Sequence, residues 1–96
     1  MDKTIGLAYR ARKVVIGTEQ TIEYLRKKQL FLVLLANDAS SLTQKKVRDK
    51  AKTYETPVFD GLSSLILSNA VGKNDIKVMG ITDQGFAKLL MEQKRK

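Results

Sequence analysis

The sequence predicts an α/β fold, a three-layer α-β-α sandwich in which a four-stranded mixed sheet carries helices on both faces. Segments rich in β-branched residues alternate with segments whose apolar residues recur at helical spacing, and this alternation is typical of such sandwiches. Residues 30–36 are apolar throughout, as in a strand that is covered on both faces. The chain of 96 residues is long enough for one core, so we expect residues 1–96 to form a single domain.

Nine elements are expected, in the order α-β-α-β-α-β-α-β-α. β-branched residues mark the strand Val14–Ile16, and Pro57 stands at the start of another strand, where a missing amide does least harm. No linker, repeat or low-complexity segment interrupts the pattern. The predicted helices span residues 3–12, 19–28, 42–54, 60–70 and about 83 onward, and the predicted strands span residues 14–16, 30–36, 57–59 and 76–81.

Polar residues ahead of the apolar repeats predict the helix starts, because a side-chain oxygen can accept a hydrogen bond from the first free amides. Ser41 and Gln44 form an S-x-x-Q capping box. Gly72 ends the fourth helix, since glycine readily takes the left-handed conformation found there. The expected N-caps are Thr4, Thr18, Ser41, Asp60 and, for the last helix, either Asp83 or Thr82.

Helical spacing also predicts which side chains enter the core. Positive residues surround the third helix instead of forming one stripe, which indicates a solvated face. The polar residues 93–96 are expected to fray. The side chains expected inside are Ile5, Ala8, Tyr9, Ile22, Leu25, Leu42, Val47, Ala51, Tyr54, Leu62, Leu65, Ile66, Ala70, Phe86, Leu89 and Leu90, and the cations expected outside on the third helix are Lys45, Lys46, Arg48, Lys50 and Lys52.

Composition excludes several kinds of site. The chain has no cysteine and no histidine, so disulfides, the usual zinc sites and the Ser/His and Cys/His nucleophile pairs are excluded, and no metal or other cofactor is expected. A formal net charge of +8 and a pI near 9.9 suit a polyanionic partner, but a charge of this size is also common on protein surfaces that bind no polyanion. No signal peptide is expected, and residues 30–36 are too short to cross a bilayer, so we expect a cytoplasmic protein with no membrane partner.

Catalysis is not supported by the remaining residues. The phosphate-binding pattern G-x-x-x-x-G-K-[ST] is absent, and residues 80–85 lack the middle glycine of G-x-G-x-x-G. The acids Glu19, Glu23, Asp38 and Asp75 could lie near one end of the sheet, but scattered surface acids are far commoner than a catalytic pair. We therefore expect no enzymatic activity.

The segment from Gly17 to Thr21 is the candidate binding site. A strand, a glycine turn and a helix start follow one another here. The first amides of a helix have no intrahelical partners and carry partial positive charge, so they suit phosphate oxygens or acceptors on base edges. Most turns of this kind only connect two elements, and that alternative stays open at the level of local sequence.

Other features favour a structured RNA as the ligand. Loops 17–21, 37–40 and 72–75 are expected to gather at one end of the sandwich. Most aromatic residues fall at core-facing positions, so no stacking platform for a single strand is evident. The expected RNA-binding residues are Gly17, Thr18, Glu19, Gln20 and Thr21 at the turn, with Gln20 and Thr21 supplying hydrogen bonds, and Arg10, Arg12, Lys13, Lys28 and Lys73 as phosphate contacts.

Three segments carry a family resemblance: residues 5–17, 32–40 and 78–87, which read IGLAYRARKVVIG, LVLLANDAS and VMGITDQGFA. Together they resemble the bacterial YlxQ-type branch of the kink-turn-binding ribosomal protein family, which also holds the archaeal L-seven-Ae and eukaryotic L-thirty-e proteins. The resemblance covers nearly the whole chain. It implies the same α-β-α sandwich, and it implies binding to kink-turns, which are sharply bent RNA helices with tandem G·A pairs.

The resemblance also extends to the RNA-reading turn of that family. This turn consists of glycine, a variable residue, asparagine and glutamate, with lysine three residues after the glutamate. Gly17 and Thr18 match it, whereas Glu19 and Gln20 take the asparagine and glutamate positions and Glu23 takes the lysine position. Gln20 can still donate and accept at a guanine edge. Glu19 and Glu23 bring negative charge toward a phosphate backbone, which repels them.

Two functions remain in view. The first is a ribosome-associated or structured-RNA-binding protein, a monomer whose partners are RNA, ribosomal by the resemblance, and ribosomal proteins. The second is a protein-interaction module on the same scaffold that has lost RNA recognition, which Glu19 and Glu23 favour. Binding that weakens with salt favours the first function, and a protein partner retained after nuclease treatment favours the second.

Overall fold

The computed structural model describes residues 1–94, in which five helices and four strands alternate in the predicted order. Every predicted element is present, although most are shorter than predicted. The helices are α1 (Asp2–Arg10), α2 (Thr18–Arg26), α3 (Ser41–Thr53), α4 (Ser64–Val71) and α5 (Gln84–Gln93), and the strands are β1 (Val14–Ile16), β2 (Leu32–Leu35), β3 (Val58–Phe59) and β4 (Val78–Ile81).

The strands form one mixed sheet in the order β1-β4-β2-β3. β4 pairs antiparallel with β1 and β2, and β3 pairs parallel with β2. α1, α4 and α5 pack together over one face, while α2 and α3 pack over the other. The three-layer α-β-α sandwich is therefore confirmed, and β2 lies inside the sheet with all of its residues buried, as predicted.

Strand register places the connecting segments at two opposite ends of the sheet. β1 and β2 begin where β4 ends, because Val14 and Leu32 both lie opposite Ile81. We call this end, formed by residues 12–13, 28–31, 55–57 and 82, the Phe31 edge. The other end, formed by residues 17–21, 37–40 and 72–77, is the Gly17 edge.

The first two predicted N-caps are wrong. Thr4 is buried inside α1, whose N-cap is Met1, and Thr18 is the first residue of α2, whose N-cap is Gly17. Gly17 enters the helix with a backbone conformation that leaves Thr18 already helical, so the threonine hydroxyl stands one residue too late to cap it. For α5, by contrast, Asp83 is the N-cap, one of the two residues predicted.

The predicted caps of α3 and α4 are also wrong. Ser40 caps α3 in place of Ser41, and its Oγ accepts a hydrogen bond from the N–H of Thr43 at 3.2 Å. Ser63 caps α4 in place of Asp60, whose carboxylate instead pairs with an arginine on α3. Nearby polar residues are equally good N-caps as far as the sequence shows. The direction in which the chain leaves the sheet decides which of them caps the helix.

Several side chains predicted to be inside are exposed. α4 begins four residues later than predicted, and its buried residues are Leu67, Ser68 and Val71. The Ser68 hydroxyl is satisfied because it accepts a hydrogen bond from the N–H of Ile76 at 2.8 Å. The mispredicted side chains are Leu42, Leu65, Ile66 and Leu89, which are exposed, whereas Ile5, Ala8, Ile22, Leu25, Val47, Ala51 and Leu90 are buried as predicted and Tyr9, Tyr54, Leu62, Ala70 and Phe86 are half-buried.

The chain terminus is more ordered than predicted up to its last helical residue. Gln93 ends α5 and is half-buried, and its Nε2 donates a hydrogen bond to Thr4 Oγ1 at 2.9 Å. This bond ties the end of α5 to the first turn of α1. The other residues predicted to fray include Arg95 and Lys96, which lie outside the described residues.

Candidate RNA interface

The first turn of α2 starts at a glycine that both neighbouring elements hold in place. Gly17 has φ 100° and ψ 156°, a conformation reserved for glycine. Its N–H donates to the Val78 carbonyl at 2.9 Å, and its carbonyl accepts from the Thr21 N–H at 3.0 Å. β4 and α2 therefore fix the turn from two sides. Because the N-cap is glycine, no side-chain oxygen caps the first amides of α2.

The other helices that follow strands are capped differently. Ser40, Ser63 and Asp83 each accept a hydrogen bond from an amide in the first turn of α3, α4 and α5. Among these four helices in residues 1–94, α2 is the one without a side-chain cap. Its first amides keep their partial positive charge and are available to an acceptor from another molecule.

The loops predicted to gather at one end of the sandwich do so at the Gly17 edge. Ile16 lies opposite Met79, and Leu35 lies opposite Val78, so β1 and β2 both end where β4 begins. This prediction is confirmed. The turn at Gly17 therefore shares one surface with loop 37–40 and with the segment 72–77.

A polar network connects the loops of this edge. Asp38 accepts hydrogen bonds from the Ser64 N–H at 2.8 Å and from the Ser64 hydroxyl at 2.6 Å. The Lys77 ammonium lies 4.0 Å from the Asp38 carboxylate and 3.3 Å from that of Asp75. The bonds from the Ser64 hydroxyl and then from its N–H, with the charge of Lys77, hold the pKa of Asp38 below its ordinary value.

This lowered pKa predicts a stability change in acid. Because the carboxylate is favoured in the folded state, its stabilising effect is present above the ordinary aspartate pKa and is lost as the pH falls from about 4 through the lowered value. Thermal unfolding from pH 7 to pH 2 should show Asp38→Asn melting below wild type at pH 7, with the two curves converging in acid. Asp49→Asn, a change at an exposed acid of α3, is the control and should match wild type at pH 7.

The structure places the five predicted turn residues differently with respect to solvent. Glu19 and Gln20 are exposed on the first turn of α2, and Gly17 and Thr18 are half-buried beside them. Thr21 is fully buried, and its hydroxyl has no hydrogen-bond partner among the described residues. Its predicted direct hydrogen bond to a ligand is therefore wrong in this conformation, because the side chain is out of reach from the surface.

The predicted phosphate contacts are split between the two edges. Lys73 is exposed on the segment that enters β4 at the Gly17 edge. Arg12 and Lys13 precede β1, and Lys28 follows α2, so all three lie at the Phe31 edge, with Arg10 in the last turn of α1. Lys13 lies four residue steps before Gly17 along extended chain, which corresponds to about 13 Å. These four cations therefore do not surround the turn.

Other cations, missed by the sequence analysis, lie beside the acids of α2. Glu19 and Glu23 line a groove of about 220 Å³ between α2 and α3, whose other charged residues are Arg26, Lys46 and Lys50. Three cations thus share the groove with two carboxylates. Glu19 and Glu23, like Lys46 and Lys50, are spaced i and i+4, which places each pair on one helix face. This matching i, i+4 spacing of acids on α2 and cations on α3 was the feature of the sequence that could have predicted their shared groove.

Within the described residues, the chemical groups that this interface offers to a ligand are backbone amides and individual polar or charged side chains. Within residues 1–94, no group of three or more acidic residues comes together in the manner of a metal site. No helix in the same part of the chain is long and apolar enough to span a membrane.

Comparison with known proteins decides the family. The model of the ribosomal protein L7Ae/L30e/S12e/Gadd45 family matches residues 1–91. The chain belongs to this family. The resemblance carried by residues 5–17, 32–40 and 78–87 is thereby confirmed.

Individual relatives agree with this assignment to the L7Ae family. The chain is 47% identical over 88 residues to the RNA-binding protein YlxQ of Enterococcus faecium, covering 92% of this chain and 84% of that protein. It is 46% identical over 87 residues to the RNA-binding protein YlxQ of Bacillus subtilis, covering 91% of this chain and 87% of that protein.

Solved structures of similar proteins show the same fold. A Bacillus halodurans protein of unknown function superposes with a TM-score of 0.94 at 35% identity, over 99% of this chain and 96% of that chain. The Giardia lamblia 15.5kD RNA binding protein superposes with a TM-score of 0.78 at 14% identity, over 95% of this chain and 78% of that chain. The second likeness concerns the fold alone.

Proposed function

We propose that this protein binds structured RNA by placing the first turn of α2 against a kink-turn-like RNA. The observation that carries the proposal is the uncapped start of α2 at Gly17, on an exposed edge, in a member of the L7Ae family whose close relatives are named RNA-binding proteins. Amides that lack acceptors in the protein can donate to phosphate or base-edge oxygens.

Gly17 and Gln20 have separate roles in this proposal. Gly17 has no side chain, and a Cβ there would project into open space, so the RNA can approach the backbone closely. The exposed Gln20 amide both donates and accepts, and it reads a base edge. Thr18 and the exposed Glu19 complete the contacting turn, while buried Thr21 positions it from below.

Positive charge in the α2–α3 groove offsets the repulsion that the two acids would exert on an RNA phosphate. Glu19 and Glu23 alone would repel a phosphate backbone, but Arg26, Lys46 and Lys50 share their groove. The local net charge of the groove is therefore positive. Lys73 adds an exposed cation at the same edge. We assign Lys46, Lys50 and Lys73 to the phosphates that flank the bend.

The setting of this function is proposed on the same basis. Residues 1–96 act as one RNA-binding unit and as a monomer, in the cytoplasm, with ribosomal RNA as ligand and ribosomal proteins as neighbours. The activity is binding, and the protein is not an enzyme, in keeping with its family and with the names of its relatives.

A binding titration tests the proposal directly. A kink-turn RNA and a straight duplex, in which the tandem G·A pairs are replaced by Watson–Crick pairs, are each titrated with the protein at several salt concentrations. We expect the kink-turn to bind at least about tenfold more tightly, with affinity falling as salt rises. Gln20→Ala should remove most of this discrimination, which corresponds to about 1–3 kcal/mol for a lost base-edge contact.

Gln84→Ala is the matched control, because Gln84 is an exposed glutamine in the first turn of α5, whose N-cap Asp83 follows the Phe31 edge. It should leave discrimination unchanged. Equal affinity of the wild-type protein for the two RNAs, or binding that is indifferent to salt, would contradict the proposal. In that case a protein partner recovered after nuclease treatment would favour the protein-interaction module.

A further inference from the structure

The Phe31 edge contains an open cleft of about 450 Å³. Phe31, Tyr24 and Val15 supply its apolar surface, and Arg12 and Lys28 supply its charge. No acidic residue lines this cleft in the described part of the chain. A cleft that combines aromatic rings with two cations matches the chemistry of a nucleotide, which has an aromatic base and an anionic phosphate.

Phe31 is the aromatic residue on which the inference depends. β2 begins at Leu32 and not at Leu30 as predicted, which leaves Phe31 in front of the sheet with 45% of its surface exposed. The ring also borders a second cleft of about 360 Å³, where Lys28 and Tyr54 are its neighbours. An exposed ring that lines two clefts is available for stacking, although no stacking platform was evident from the sequence.

Two cations line the clefts together with Phe31. Lys28 lines both clefts, and Arg12 lines the larger one. Lys27 lies over the neighbouring Tyr24 ring, with its Nζ 5.9 Å from the ring centroid. The only carboxylate lining either cleft, within residues 1–94, is Glu55 in the smaller one. The larger cleft is therefore positively charged. This charge favours an RNA strand, which is a polyanion, over an apolar peptide that lacks acidic residues.

The ends of two helices place Arg12 and Lys28 at the Phe31 edge. α1 and α2 both end at this edge in the Schellman pattern: the Lys13 N–H donates to Ala8, and the Gln29 N–H donates to Tyr24. The residue with positive φ is Arg12, at 62°, after α1 and Lys28, at 55°, after α2. Glycine is the usual residue there because a Cβ is strained. These two helix ends therefore fix the backbone positions of both cations at the Phe31 edge.

We propose that the Phe31 edge is a second RNA-binding surface, which holds single-stranded RNA by stacking a base on Phe31 while Arg12 and Lys28 contact the phosphates. This surface lies at the opposite end of the sheet from the Gly17 turn. It takes the single strand that flanks a folded RNA rather than the fold itself. The choice of RNA as the polyanion rests on the proposed function, whereas the cleft, the exposed ring and the charge do not.

The test uses the intact protein and two labelled RNAs, a ten-nucleotide oligouridine and a blunt-ended kink-turn duplex. Phe31→Leu retains an apolar side chain and removes the ring, and it should weaken oligouridine binding by about tenfold, within the range for one stacked base. Arg12→Gly and Lys28→Gly should each weaken it and lower the salt slope by about 0.7. Binding of the blunt duplex should not change.

Two matched variants keep folding effects apart from binding effects. Glu55→Gly alters the corresponding positive-φ position at the end of α3, where φ is 56°, but removes a negative charge, so oligouridine should bind as well as before or more tightly. Leu42→Ala truncates another exposed apolar side chain and should have no effect. Arg12→Gly and Lys28→Gly should melt no lower than wild type, because glycine relieves the strain.

The outcomes separate this inference from the proposed function. If the wild-type protein does not retain oligouridine at low salt, or if Phe31→Leu and Leu42→Ala bind it equally well, the inference is wrong. If Gln20→Ala leaves kink-turn discrimination intact while Phe31→Leu weakens oligouridine binding, the proposed use of the Gly17 turn fails and the Phe31 edge stands. If Gln20→Ala weakens only kink-turn discrimination and Phe31→Leu weakens only oligouridine binding, both the proposed function and this inference are supported.

Discussion

Gly17→Ala is expected to lower the free energy of unfolding by about 1–3 kcal/mol, because the native φ of 100° and ψ of 156° are open to glycine alone. The strain has no easy relief, since β4 and α2 hold the Gly17 amide and carbonyl. Any relaxation moves the first turn of α2, so affinity for kink-turn RNA should fall by more than about tenfold. Urea denaturation and RNA titration of the same variant measure the two losses.

Gly72→Ala is the control for this prediction. Both glycines have positive φ, and a Cβ at either one meets nothing within 4 Å. Gly72 lies at φ 68° and ψ 30°, in the left-handed helical region, where alanine costs roughly 1 kcal/mol. It should lose less stability than Gly17→Ala and keep most of its RNA affinity. Equal losses in the two variants would show that positive φ as such, and not the specific turn at Gly17, matters.

Reversing both acids of the α2–α3 groove, by Glu19→Lys with Glu23→Lys, is expected to tighten RNA binding by about tenfold or more at 0.1 M salt. The groove already holds Arg26, Lys46 and Lys50, so the change removes its negative charge and adds two phosphate contacts. The slope of log affinity against log salt should steepen by about two. Titration of one kink-turn RNA at several salt concentrations provides both values.

The same double substitution should lower stability while it tightens binding. Glu19 lies in the first turn of α2, where a negative charge is favoured, and Glu23 lies 3.8 Å from Lys27 in an exposed i,i+4 pair. Their loss costs about 0.5–1.5 kcal/mol together. Asp49→Lys makes the same charge change as either substitution alone, at an exposed position on α3. If it tightened binding as much as Glu19→Lys, bulk charge and not the groove would be responsible.

The two edges divide the binding chemistry of the molecule. At the Gly17 edge, backbone amides and Gln20 are presented by a turn whose φ and ψ are essentially restricted to glycine. At the Phe31 edge, an exposed ring and two cations line an open cleft. The first suits an RNA of defined shape, and the second suits a flexible strand, which adapts to the protein at each base.

Helix caps and buried faces differ from the predicted ones where neighbouring residues have similar chemistry. Ser40 and Ser41 are both good N-caps, and only the path of the chain after β2 makes Ser40 the cap of α3. Leu65 and Leu67 are both apolar, but the start of α4 at Ser64 turns Leu67 inward and Leu65 outward. Successive residues of a helix are about 100° apart around its axis. A buried stripe that is predicted one or two residues away from its true position therefore lies on a different face of the helix.

Periodicity, glycine and short motifs are local properties of the chain, so they were sufficient to predict the order of helices and strands, the buried central strand β2, the glycine turn at residue 17 and the family. Which charges share a surface depends instead on how distant strands pair in the folded protein. The strand order β1-β4-β2-β3 brings Lys73 to the edge that holds Gly17 and carries Arg12 and Lys28 to the opposite edge. Pairing between strands far apart in sequence sets these neighbours, and no local pattern records it.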